Sequence, residues 1–226
     1  MAITTTETGL LRLLQLSSAA LPVGGYSFSQ GLEYAIDEAW LANEADLEQW
    51  LALQLSESLT QVDLPLLRRQ LQALAAQNVK DFIRWNDYAL ACRETAELRL
   101  TDTAMGSALI KLLTDLNMPV TYANALDQAS FVSSFALAAN FWQIDTTSAC
   151  HGYCWSWLEN QVAAATKLVP LGQTSAQRLL GRLQALIPEA VERCASVEDQ
   201  DIGASLPALA MASAWHESQY SRLFRS

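Results

Sequence analysis

Apolar residues recur three and four positions apart along most of this chain, and that periodicity constrains the fold more than any single motif. Leu10, Leu11, Leu13, Leu14 and Leu16 make a short apolar helix. Leu47, Trp50, Leu51, Leu55 and Leu59 form a second stripe, and Leu66, Leu67, Leu71 and Leu74 a third. Met105, Leu109, Leu112 and Leu113 follow, then Cys150, Cys154, Trp157, Leu158, Val162, Ala165 and Val169. Residues so spaced share one helix face, because a turn takes 3.6 residues. No run of alternating β-branched residues bounded by turns is present, so no sheet is expected. With 226 residues, no internal repeat and no dividing linker, the expectation is one all-α domain, 1–226, a single-domain bundle of about ten helices. Residues 217–226 form a C-terminal tail that docks on the body or on a partner.

Local signals place the boundaries. Asn43 caps a helix, with Asp46 favouring its dipole. Asp63-Leu64-Pro65 punctuates the pattern, with Pro65 in a first turn. Asp81 to Leu100 reads as one or two helices, Thr101 to Leu116 as another, with Gly106 allowing a close helix approach. Ser130 to Trp142 is small and apolar, and Thr147 to Val169 reads as a long helix, the most apolar continuous segment, stopped by Pro170-Leu171-Gly172. Thr174 and Gln177 form a capping box, and Pro207 begins the last helix.

Leu21-Pro22-Val23-Gly24-Gly25-Tyr26-Ser27-Phe28-Ser29-Gln30-Gly31-Leu32-Glu33 stands apart, because Pro, Gly and aromatics crowd together there. Pro22 fixes φ and Gly24-Gly25 permits conformations closed to other residues, so a sharply shaped loop is expected. Ser27 and Gln30 match a capping box, which starts a helix at Ser27. Tyr26 would then pack on the fourth helical residue, but that residue is Gly31. Either Tyr26 turns into the core or it contacts something else.

Composition narrows the functions. A net charge of −10 argues against nucleic acid and anionic membranes, which are bound by neutralising phosphates. No apolar run is long enough to span a bilayer, and Met1 to Glu7 lacks a basic leader, so the expected location is cytoplasmic. Four cysteines are too few and too irregular for a disulfide scaffold.

Most catalytic readings fail on spacing. No phosphate loop, no G-x-S-x-G elbow and no H-E-x-x-H is present, and two His leave few bases. Cys150, His151 and Cys154 could offer soft ligands to a metal, but the thiols lie on an apolar stripe and another ligand is needed. Arg93 with Glu94 and Glu97 reads as surface ion pairs on a solvated helix face. Lys167 is the only cation on that long apolar helix: either it snorkels, or it is a charge held at a contact surface. Tyr220, Leu223 and Phe224 would share a face if helical, flanked by Arg222 and Arg225, and such residues concentrate binding energy at interfaces.

Several segments together resemble the urease accessory protein UreF family. They are Leu21 to Glu33, Asp63-Leu64-Pro65, Arg93-Glu94-Thr95 through Glu97-Leu98-Arg99, and Trp157-Leu158-Glu159-Asn160-Gln161. Lys167 to Gln173 and His216 to Ser226 complete the set, in family order and over nearly the whole chain. The resemblance implies an all-helical homodimer with no cofactor and no catalysis of its own. It implies partnership with UreD (UreH in some systems), with the GTPase UreG and with apo-urease, in GTP-dependent nickel insertion. It also implies that the tail orders against the body near Gly25-Tyr26-Ser27 when UreD binds. Tyr26 and Arg222 are then expected to partner across the body–tail contact with Phe224 as anchor, and Lys167 and Glu33 to be exposed contact charges. Ser27, Gln30, Gly31, Tyr220, Leu223 and Arg225 complete the expected partner-binding or docking set. Direct nickel carriage by Cys150, His151 and Cys154 is the alternative, and the family pattern does not include those three residues.

Overall fold

A computed structural model describes residues 4–169 and 171–225. The expected stop at Pro170, part of the Met1 to Glu7 segment and Ser226 lie outside the described residues. The helices are α1 (Glu7–Leu16), α2 (Leu32–Asp37), α3 (Glu44–Leu53), α4 (Leu64–Ala75), α5 (Val79–Ala91) and α6 (Ala96–Asp115). They continue as α7 (Phe131–Phe141), α8 (Thr146–Leu168), α9 (Gln173–Gln184), α10 (Ile187–Arg193) and α11 (Pro207–His216). No strand occurs among the described residues, and none of their helices is long and apolar enough to cross a membrane.

The core is built around α7, in which every residue from Phe131 to Ala139 is buried. It packs between α6 and α4. Its small residues allow this: Ser134 Oγ donates to the Gly106 carbonyl at 2.9 Å. A Cβ on Gly106 would fall 2.3 Å from the Ala129 carbonyl oxygen, so only glycine fits. The helix starts are set by side chains of Thr6, Asn43, Asn78, Thr95, Ser130 and Asp145, each accepting a backbone N–H.

Three local expectations are corrected. Asp63-Leu64-Pro65 does not punctuate the chain, because a π-helix, Gln54–Asp63, joins α3 to α4 without interruption. The missing Pro65 N–H leaves the Gln61 carbonyl open, and the Gly203 N–H donates to it at 3.3 Å. The Thr174–Gln177 capping box does not form, since α9 begins at Gln173 with Gly172 in the cap position and no side-chain cap bond. Arg93 and Glu94 are not on a helix at all. They lie in the connection between α5 and α6, which turns Arg93 into the protein.

Candidate functional site

The crowded loop folds as a 3-10 turn, Gly25–Ser27, and not as the start of a helix. Gly24 and Gly31 take left-handed φ of 77° and 81°, and Gln30 takes 53°. The Ser27–Gln30 capping box is therefore absent: the Gln30 side chain faces α8 instead and accepts from Trp157 Nε1 at 3.1 Å. Gly31 precedes α2, and a Cβ there would lie 3.1 Å from the Ser213 backbone nitrogen of α11. Glycine is needed at that position for its φ and for the passage of α11. It does not make room for Tyr26, which is 58% exposed.

That close approach brings α2 and α11 together and sets the central junction. His216, at the end of α11, is fully buried. Its Nε2 lies 3.0 Å from Glu33 Oε2 and its Nδ1 lies 2.8 Å from Glu97 Oε2. Both ring nitrogens thus face carboxylate oxygens, which only accept. A neutral imidazole carries one N–H, so both bonds form together only when the ring, or one carboxyl, carries a further proton.

The same two carboxylates hold the tail. Glu33 accepts from the backbone N–H of Leu223 at 2.6 Å and of Phe224 at 2.9 Å. Glu97 accepts from Arg222 Nη1 at 3.1 Å. The Arg225 N–H donates to the Ser27 carbonyl at 2.9 Å. Phe224 is buried, and Lys167 Nζ lies 5.4 Å from its ring centroid and 5.7 Å from that of Tyr26. Tyr220 is fully exposed and Leu223 is mostly exposed.

Several expectations change here. Glu33 is not an exposed charge: it is buried and serves as the acceptor for the tail. Arg222 pairs with Glu97, while Tyr26 meets Lys167. The tail is not helical, since α11 ends at His216, so Tyr220 and Leu223 do not share a face with Phe224. Sequence reasoning missed the roles of His216 and Glu97. The available signal was a histidine in the last helical turn of a chain with only two His.

A second charged junction lies deeper. Arg93 donates to Asp63 at 2.7 Å and to Asp102 at 3.1 Å. The Tyr153 hydroxyl donates to Asp63 at 3.1 Å. Burial works against the Arg93 charge, but Asp102 and Asp63 outweigh it and hold its proton far more tightly than usual. Burial raises Asp102, and Arg93 only partly offsets this. These groups line a cavity of about 100 Å³ reached by Gly25, Gln30 and Gln161. Among the described residues, Gln161 Oε1 has no hydrogen-bond partner.

The thiols do not assemble a metal site. Cys150 and Cys154 are fully buried in the core beside Cys194. A hydrogen bond with Cys194, followed by burial, raises Cys150, and burial raises Cys154, so both keep their protons. His151 points elsewhere, with Nδ1 2.9 Å from the Thr147 carbonyl. Among the described residues no group of three or more His, Cys, Asp or Glu is placed to hold a metal ion.

A family model described as UreF matches residues 41–184. The chain is 56% identical over 224 residues to the urease accessory protein UreF of Marinomonas sp., covering 99% of this chain and 97% of that protein. It is 48% identical over 217 residues to the urease accessory protein UreF of Teredinibacter turnerae, with 96% and 98% covered. Against the protein of that name from Hahella chejuensis, identity is 47% over 217 residues, again with 96% and 98% covered.

Proposed function

The chain belongs to the UreF family of urease accessory proteins, and from that premise we propose that it is a non-enzymatic scaffold of nickel-urease maturation acting in the cytoplasm. In this reading it bridges UreD (or UreH) and the GTPase UreG on apo-urease and modulates GTP-dependent nickel insertion. One observation carries the reading: the tail is fastened through buried Glu33 and Glu97, while Tyr26, Lys167, Tyr220 and Leu223 stay at the surface around it. Body and tail thus offer one composite face of aromatic, apolar and cationic groups, the chemistry from which protein interfaces are made.

The chain is also taken to be a homodimer. Leu10, Leu11 and Leu14 of α1 are 51%, 67% and 62% exposed, an apolar face suited to a second copy. Light scattering after size-exclusion chromatography measures this directly.

The test of the scaffold is co-expression with UreD and UreG followed by size-exclusion chromatography. Deleting the chain from Tyr220 onward removes no helix, so helicity by circular dichroism should be unchanged while UreD no longer co-elutes. Continued co-elution of UreD with the truncated chain would overturn the reading.

A further inference from the structure

Beside the tail, between the end of α2 and the end of α11, lies a surface cleft of about 380 Å³. Its chemistry is one-sided. Tyr34 and Trp215 form its aromatic wall, with Trp40 packed against both at ring-centroid distances of 5.8 Å. Tyr34 and Trp215 are themselves 5.7 Å apart. Trp40 and Trp215 remain 37% and 44% exposed, unusual for side chains that dominate burial energetics. Asp37 and Glu38, which follow Tyr34 at the end of α2, also line it, and both are exposed. Gln219 also lines the cleft and donates from Nε2 to Asp37 at 3.1 Å. Among the described residues, no Lys, Arg or His lines the cleft.

Aromatic faces and two exposed carboxylates share one preference. Both attract a cation, and a planar guanidinium satisfies them together, stacking on indole while its N–H groups reach the carboxylate oxygens. We propose that this cleft receives an arginine side chain from a basic segment of a partner protein. The overall net charge of −10 favours a basic partner over a second copy of this acidic chain. The cleft is continuous with the tail through Gln219 and Tyr220, so one partner can engage both. The proposal deepens the reading of the tail as a contact face. Its test is independent of UreD: failure of UreD to co-elute with the wild-type chain would refute the scaffold while leaving the cleft result standing.

The full-length chain, labelled with nitrogen-15, is titrated with a blocked Gly-Ser peptide bearing arginines. The same peptide bearing citrulline in their place keeps the shape and removes the charge. The arginine peptide should shift the indole N–H signals of Trp40 and Trp215 saturably, and the citrulline peptide should not. The Asp37→Asn/Glu38→Gln chain, altered only at exposed positions, should bind the arginine peptide roughly fivefold or more weakly. Trp215→Ala should weaken it comparably, with Trp40 as reporter. Equal shifts with citrulline, or unchanged binding in both variants, overturn the proposal. So would indole shifts that change with protein concentration and without peptide, since the face would then be a contact between copies.

Discussion

The Arg93 junction and the His216 junction use the same materials to different ends. Each buries a cationic or cation-capable side chain between two carboxylates from distant parts of the sequence. Around Arg93 all partners sit on the body: Asp63 ends the π-helix, Asp102 is on α6 and Tyr153 on α8. Around His216 the carboxylates come from α2 and α6, and they also hold Arg222, Leu223 and Phe224 of a chain end. Breaking the first leaves charges stranded in a place the body cannot vacate. Breaking the second lets the chain end leave, because a terminal segment can detach without disturbing the helices. Similar bonding therefore fixes structure in one place and makes a releasable latch in the other.

The sharpest way to break that comparison is Arg93→Ala. It leaves Asp63 and Asp102 buried without their cation, and the expected loss is about 3–5 kcal/mol of global stability, read by urea denaturation. A milder loss there would mean the body can rearrange around the charges. Next comes a matched pair of aromatic truncations. Phe135→Ala, in the centre of α7, should cost about 3–5 kcal/mol, because the void cannot collapse. Phe224→Ala buries a similar ring but should cost less than about 2 kcal/mol, since undocking of the tail caps the loss. Equal costs would erase the distinction between body and latch.

The smallest effect concerns the other end of the chain. The Asp145 side chain accepts from the backbone N–H of Ser148, from both hydroxyls of Thr5 and Ser148, and from the Thr5 N–H. Burial pushes Asp145 up, but these hydrogen bonds outweigh it and hold the carboxyl below its ordinary value of 3.8. A lowered folded value means the contribution is present above the unfolded value and lost as pH falls through the folded one. Asp145→Asn should cost about 1 kcal/mol or less near neutrality, and its gap from wild type should close in thermal melts below roughly pH 4.

The helices were legible because their signals are local. The reading of Thr147 to Val169 lands within a residue of α8, Asn43 caps α3 as its position requires, and the cysteine stripe is buried. Glu33, Glu97 and Arg93 were misread as surface charges for a physical reason. A charge is solvated unless a partner is brought to it, and His216 lies 183 and 119 residues away from its two carboxylates. Nothing within one turn of Glu33 announces α11. The capping boxes at Ser27 and Thr174 matched in residue type, but the positive φ of Gln30 and Gly31 turned the first away from a helix. Pro65 looked like a break because the pattern does not show that Gly203 supplies the missing donor.

The central claim is that Glu33, steadied by His216, fastens the tail. Hydrogen exchange at the Leu223 and Phe224 amides tests it directly, since both N–H groups donate to that carboxylate. These two amides should exchange slowly in the wild-type chain. In His216→Ala they should become unprotected while the amides of α7 stay as slow as before. Rapid exchange at Leu223 and Phe224 in the wild-type protein, or protection that survives the loss of His216, would contradict the account.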